Sequence, residues 1–377
     1  INSRIMARFQ SILCGLLLSS ALRRSSSSSS SSAVVAAFTF TFQPKPCAKE
    51  SMTSLGTHAR SAPFATATRP GHTLRMSAAE AAPQTYMEAL SLAASESLGR
   101  TVELVPTSGG GFSGGGGAST SAVLDKATDT RYFVKAARGE FDMLRAEYEG
   151  VKAMSEANAI QVPTPIAFGE FESTAFVIFE YLEFCGGGSQ FELGQQLAKM
   201  HRKVSDQGFG FVVDNTIGAT FQPNLPWKQD WAEFWDEQRL GHMLKLTDNV
   251  GFSDDKIQKL RAKTKQLLSH NPPPSLIHGD LWGGNKGFCK KDGKPVPVIF
   301  DPATYYGDRE ADIAMTYVFG GFSGDFYDGY NSEWPLPEGH EKRRVIYELY
   351  HILNHEVLFG GGYANQARGM IDRIMNL

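Results

Sequence analysis

Beyond residue 80 the hydrophobic positions fall into two regimes. Between 101 and 181, short β-branched and aromatic runs bounded by Gly, Asp and Pro predict strands at 101–105, 121–124, 131–136, 166–171 and 175–181. The last of these is a continuous apolar run of the fully buried type. One helix interrupts them at 141–157, where Leu144, Tyr148, Val151 and Met154 recur at three- and four-residue spacing. A further helix is predicted at 86–98. From 191 onward helical periodicity dominates, at 191–204, 231–246, 254–269, 311–319 and 340–359, with strand-like material only around 295–300. That order predicts an α+β protein of two lobes, an antiparallel-sheet N-lobe over 80–181 and a mostly helical C-lobe over 182–377.

The first 79 residues follow a different rule. They hold nine Lys and Arg against a single acid, Glu50, so that within a chain of net charge −3 the remainder carries −11. An acidic body argues against nucleic acid as a partner. The chain opens on Ile1, and Met6 is the expected start. Arg8, the apolar run 12–18, Arg23, Arg24 and eight consecutive serines ending at Ser32 follow. The apolar run is too short to span a bilayer, so no stable membrane association is expected, and it has the length of a signal-peptide core. The Ser, Thr, Ala and Arg bias after it is that of a transit peptide, and Ala36-Ala37-Phe38 is similar to the cleavage boundary of bipartite plastid leaders. Residues 1–79 are therefore expected to be a largely disordered targeting leader, addressed to a plastid, with mitochondrial or secretory routes as alternatives. Cys14, Cys47, Cys185 and Cys289 are scattered, with neither metal-ligand spacing nor a disulfide framework.

The densest chemical signal is His278-Gly279-Asp280-Leu281-Trp282-Gly283-Gly284-Asn285, followed by the apolar run 296–300 that ends in Asp301. Phosphoryl transfer needs a carboxylate for the proton of the attacking hydroxyl, and a carbonyl-plus-carboxylate pair for Mg²⁺ on the nucleotide phosphates. Asp280 and Asn285 have the spacing of the protein-kinase catalytic loop, and Asp301 stands at a strand end, where the second magnesium ligand is expected. Asp, Asn and Gly also shape plain turns; the coincidence of all three positions favours chemistry.

Two N-lobe features should accompany them. Lys135, in Tyr132-Phe133-Val134-Lys135, is placed as a phosphate-pairing lysine. Glu147 on the amphipathic helix could fix it, with Glu149 as the rival two residues away. The glycine stretch 108–117, represented by Gly110 and Gly111, would cover the phosphates with main-chain N–H groups. Main-chain groups at Glu180 and Leu182 could bind an adenine edge. ATP and Mg²⁺ are the implied cofactors.

Over roughly 86–375 the chain resembles the fructosamine-3-kinase (ketosamine kinase) family, related to aminoglycoside phosphotransferases and folded like a two-lobed protein kinase. The resemblance rests on His-Gly-Asp-Leu-Trp-Gly-Gly-Asn and on Asp301-Pro302-Ala303-Thr304-Tyr305-Tyr306-Gly307-Asp308-Arg309-Glu310-Ala311-Asp312. It also rests on Phe319-Gly320-Gly321-Phe322, on Leu353-Asn354-His355 through Gly360, and on the spaced Trp227, Trp231 and Trp235. It implies ATP-dependent phosphorylation of the 3-hydroxyl of glycated proteins or small ketosamines, and hence deglycation. Another small-molecule kinase of the aminoglycoside type, or an inactive binding module, are the alternatives. Trp282 is expected to line the sugar pocket or to pack in the core. Asp308 and Asp312 read as structural groups or as supports that orient site residues, and His201 and His355 as helix-packing residues. The stretch lacks the cysteine that some relatives carry in the glycine loop, and Gly283 stands where Ser is frequent.

Overall fold

The structure, a computed structural model, describes residues 82–112 and 118–377. The leader expected over 1–79 and glycine-loop positions 113–117 lie outside the described residues. Among the described residues no helix is long and apolar enough to cross a membrane.

Helix α1, Tyr86–Leu98, starts on a capping box in which Thr85 and Glu88 each bond the other's main-chain N–H, and it stops at Gly99. Five antiparallel strands follow, interrupted by one helix: β1 Leu104–Phe112, β2 Ser119–Asp125, β3 Thr130–Arg138, α2 Phe141–Ala157, β4 Pro165–Phe171 and β5 Thr174–Glu180. In the sheet they lie in the order β1-β2-β3-β5-β4.

Strand alternation gives this sheet two different faces. Tyr132, Val134 and Ala136 pack outward with Ala89, Leu90 and Ala94 of α1. Phe133 and Ala137 pack inward with Leu144, Val151 and Met154 of α2. Lys135 falls on the inward face by the same period of two. Ser91 and Ser95 join α1 to the sheet's first edge, accepting from the N–H groups of Leu104 (3.0 Å) and Val102 (2.9 Å).

The helical lobe comprises α3 Gln190–His201, the hairpin β6 Asn215–Ile217 and β7 Thr220–Gln222, α4 Trp231–Trp235, α5 Gly241–Leu246, α6 Asp254–Leu267, β8 Ser275–Ile277, β9 Lys286–Lys291, β10 Lys294–Ile299, β11 Tyr305–Gly307, α7 Glu310–Val318, α8 Gly324–Glu333, α9 His340–Phe359 and α10 Tyr363–Met375. Its core gathers Trp231, Phe234, Trp235, Tyr347 and Tyr350. A second cluster joins α2 to Leu276, Leu281, Ile299 and Ile313, so the sheet and the chemistry-bearing loops share a packed interior. The protein has the two-lobed, protein-kinase-like α+β fold.

Three expectations need correction. Strand β1 extends beyond 101–105 through Phe112, with Gly111 opposite Ser121 and Phe112 opposite Thr120 after a register break at Pro106. Gly110 and Gly111 thus lie in the strand and not in a free loop, because pairing with β2 overrides the low strand preference of glycine. The helix expected over 231–246 is divided by a π-helical turn, Asp236–Leu240. There the buried Asp236 takes a two-pronged hydrogen bond from Arg261 (2.7 and 2.8 Å), and Arg239 turns inward to the Pro223 carbonyl (2.6 Å) and Asn224 Oδ1 (2.6 Å). The helical lobe also holds more than one strand segment, the three-residue strands β6, β7, β8 and β11 being too short to show a period.

If α1 is part of the N-lobe core, Leu90→Ala should destabilise the protein by about 2–5 kcal/mol in urea denaturation, while Leu98→Ala at the exposed helix end should cost less than about 1. Equal, small effects would show that α1 is only laid against the sheet.

Candidate active site

The site is assembled where the end of β8, the start of β9 and the end of β10 converge beneath the N-lobe. Strand β8 pairs with β11, Ile277 opposite Tyr305, and delivers His278-Gly279-Asp280 at its end. Gly279 has φ +81°, and a side chain there would fall 2.1 Å from the Ala303 carbonyl oxygen, so only glycine makes this turn. The His278 carbonyl accepts from Ala303 N (2.9 Å), and its ring Nε2 meets the Phe300 carbonyl (3.0 Å). Burial lowers the His278 pKa, which keeps the ring a neutral Nε2–H donor to that carbonyl.

Asn285 bridges the two acidic segments. Its Nδ2 donates to the Asp280 carbonyl (2.9 Å), the Asp280 carboxylate (3.2 Å) and the Asp301 carbonyl (3.2 Å). That commits the amide nitrogen and leaves the oxygen without a hydrogen bond from the described residues. Asp301 sits just past β10 with φ +55°, and its carboxylate is 57% exposed. An amide oxygen and a carboxylate held on neighbouring segments are hard ligands of the kind Mg²⁺ takes, and Mg²⁺ keeps several waters, so two protein ligands suffice. The residues present fit the ion.

The N-lobe supplies the cation. Lys135 Nζ lies 2.7 Å from Glu147 Oε2 and 3.4 Å from Asp301 Oδ1. Glu147 falls three residues after Leu144 and four before Val151, on the inward stripe of α2; Glu149 makes no ion pair with Lys135 among the described residues. Burial works against the Lys135 ammonium, but the charges of Asp301 and Glu147 outweigh it and its pKa lies above the usual lysine value. In Asp280 it is the charged form that is disfavoured. Burial and then the nearby Asp301 charge push its carboxyl up to about 7, with the Asn285 hydrogen bond opposing. Three carboxylates and one ammonium in one cleft leave negative charge that a divalent cation would offset.

The remaining expected residues frame this centre. Glu180 ends β5 with its side chain turned to Thr164, accepting from N (3.1 Å) and Oγ1 (2.6 Å). Leu182 follows in the strand-free crossing to the helical lobe. Gly110 and Gly111 lie near the end of β1, adjoining the positions outside the described residues. Trp282 is half-buried, folded against Gly284, and its ring meets Phe319 edge-on at 6.4 Å. Phe319 in turn packs on His355 at 4.5 Å. His355 also packs on Phe359 and Tyr363 and bonds the His351 carbonyl, as a helix-packing residue does, and so joins an aromatic wall beside the loop.

Two further residues hold the loop in place. The buried Asp312 of α7 accepts from His278 N (2.7 Å), Gly279 N (2.8 Å) and His201 Nε2 (3.1 Å). Sequence reads Asp312 as structural or as a support for site residues and His201 as helix packing, but nothing local reveals that Asp312 takes the His278-Gly279 main chain or that His201 bonds Asp312 and Tyr330. The available signal was a carboxylate embedded in the otherwise buried face of α7, next to Ala311, Ile313 and Ala314.

Comparison with known proteins agrees with this geometry. Residues 99–377 match the family described as fructosamine kinase. A protein of Synechocystis named provisionally a ketoamine kinase is 44% identical over 253 residues, covering 66% of this chain and 84% of that protein. The chloroplastic protein-ribulosamine 3-kinase of Oryza sativa subsp. japonica is 43% identical over 271 residues, covering 70% and 78%. A crystal structure from Haemophilus somnus, assigned provisionally as a fructosamine-3-kinase, superposes with a TM-score of 0.64 at 28% identity, covering 76% of this chain and 96% of that one. With the five-stranded sheet, the helical lobe and every described element of the cleft inside residues 99–377, the chain belongs to the fructosamine kinase family.

Proposed function

We propose that this protein transfers the terminal phosphoryl group of ATP to the 3-hydroxyl of a ketosamine, the rearranged adduct of a sugar with an amine. The observation that carries this reading is the meeting, in one cleft, of Asp280, the Asn285 and Asp301 oxygens and the Lys135–Glu147 pair, in a member of this family.

Each residue has a distinct task. A sugar hydroxyl is a weak nucleophile at neutral pH, so its proton must be oriented and then accepted as the phosphorus–oxygen bond forms. Asp280 is the group left for this, because Asn285 and Asp301 would hold Mg²⁺ and Lys135 would pair with nucleotide phosphate. Its raised pKa matches a group that takes a proton near neutrality. Glu147 positions the Lys135 ammonium. When bound, Mg²⁺ supplies neutralisation of charge on the phosphates. Gly110 and Gly111 would present main-chain N–H groups to those phosphates, Glu180 and Leu182 would meet the base edge, and Trp282 would form a face of the sugar pocket.

The product explains the purpose. A 3-phosphate is a good leaving group beside the ketosamine carbonyl, so elimination follows and the amine is regenerated. Glycated proteins and small ketosamines are both proposed substrates. The names of the rice and Arabidopsis relatives, protein-ribulosamine 3-kinases of chloroplasts, favour a ribulosamine acceptor and support the plastid reading of residues 1–79.

Three measurements test this. A panel of ribulosamines, fructosamines, aminoglycosides and choline, assayed with Mg·ATP, should show turnover of the ketosamines alone; preference for an aminoglycoside would overturn the assignment. Asp280→Asn should bind Mg·ATP about as well as the unaltered protein yet lose on the order of a hundredfold or more in turnover, whereas Lys135→Ala should weaken nucleotide binding and turnover together. Calorimetry paired with NMR detection of the 3-phosphate separates the two, and near-normal turnover by Asp280→Asn would remove it from its role. A fluorescent fusion carrying residues 6–80 should enter plastids, and uniform cytosolic signal would contradict the leader assignment.

A further inference from the structure

The crossing between lobes carries an aromatic ring that no element of the phosphoryl-transfer machinery uses. Phe184 is 57% exposed, although it sits in one of the more constrained parts of the chain. Its main chain bridges to Cys289 on β9, Glu183 O accepts from Lys290 N (3.2 Å), and Cys185 N donates to Phe288 O (2.8 Å). The ring meets Phe300 edge-on, with centroids 5.3 Å apart and planes at 72°. Phe300 is in turn fixed on both sides, its N–H bonded to the Asn285 carbonyl (3.1 Å) and its carbonyl to His278 Nε2 (3.0 Å).

The seat of this ring is a missing side chain. A Cβ at Gly287 would lie 3.0 Å from two ring carbons of Phe184, so even an alanine at 287 would press on it. Gly287 is two residues from Asn285, and Phe300 directly precedes Asp301. The aromatic pair is thus built onto the same two backbone segments that carry the proposed magnesium ligands. Two residues before Phe184 stands Leu182, whose main-chain N–H and C=O make no hydrogen bond with the described residues, although the residue is only partly exposed. Main-chain polar groups in such surroundings call for a partner.

An open aromatic face beside an unpaired peptide edge suits a flat heterocycle, which offers a stacking surface and donor and acceptor atoms on its rim. We infer that Phe184, seated on Gly287 and braced by Phe300, is the stacking platform for the nucleotide base, with Leu182 reading the base edge. The inference rests on the Mg·ATP reading of the site and adds to it the residue that selects a nucleotide over phosphate alone.

Calorimetry on the full chain tests this with two probes, Mg·ATP and Mg-tripolyphosphate, which keeps the phosphates and lacks the base. Phe184→Ala should weaken Mg·ATP by about tenfold, the order of one base–aromatic stack, and leave tripolyphosphate unchanged; Phe184→Trp should retain ATP affinity. Gly287→Val, which displaces the ring from β9, should reproduce the selective loss. In steady state the Michaelis constant for ATP should rise in Phe184→Ala while that for a small ketosamine stays fixed. Equal Mg·ATP affinity of the Phe184→Ala and unaltered chains would overturn the inference alone. So would an equal loss for both probes, or a defect confined to glycated protein substrates, which would assign the ring to protein docking. Failure of the unaltered chain to bind Mg·ATP would instead overturn the phosphoryl-transfer reading and this inference with it.

Discussion

The arrangement of the cleft depends on one buried carboxylate. Asp312, 1% exposed, holds the main chain of His278 and Gly279 and so fixes the direction in which Asp280 leaves the loop. A carboxylate without donors in such a position would be strongly destabilising. Here the demand is met by two main-chain N–H groups and a histidine, and despite the burial these donors hold the Asp312 carboxyl below its usual pKa. The histidine is itself specified. Burial lowers the His201 pKa, so the ring is neutral, with Nε2–H donating to Asp312 and Nδ1 accepting from Tyr330 (2.7 Å), whose oxygen accepts from Arg309 (3.1 Å). The Arg309 guanidinium lies over Trp334 at 3.9 Å and donates to the Trp334 carbonyl (2.9 Å), which ties this donor chain to the end of α8. Loop geometry is thus inherited from helix packing.

The second constraint joins the lobes. Helix α2 approaches the Asp301 segment so closely that a side chain at Gly150 would meet Thr304 at 3.0 Å. That proximity lets Glu147 and Asp301 share one lysine. Each of the three charges is ordinary alone, but together they tie the sheet and α2 to the segment that carries Asp301.

Periodicity and motif spacing made much of this legible in sequence. The inward position of Lys135 follows from strand alternation against Tyr132 and Val134, and that of Glu147 from its three- and four-residue offsets to Leu144 and Val151. Asp280, Asn285 and Asp301 stand out as one constellation because their spacing is similar to that of a kinase catalytic loop, and the fold brings them together. What stayed hidden depends on partners distant in sequence. Strands β6, β7, β8 and β11 have three residues each, shorter than any readable alternation, and exist because other segments pair with them. Helix α8 contains two glycines and few apolar residues, so its burial against α3 leaves little trace. The π turn at Asp236–Leu240 arises from Arg239 reaching Pro223 and Asn224, fifteen and more residues upstream. Asp312 and His201, 111 residues apart, become one unit only when folded.

Helix α1 has a further bearing on the sheet that it covers. It precedes the stretch matched by the family, residues 99–377, yet Leu90 and Ala94 are as buried as any residue of the sheet they cover. Its first turn is secured by Glu88, which takes the N–H groups of both Gln84 (2.6 Å) and Thr85 (3.2 Å). A chain without Gln84 and Thr85 would lose both bonds and fray a helix that the sheet's outer face is built around. The start of this helix and the sheet's outer face are coupled through two main-chain hydrogen bonds.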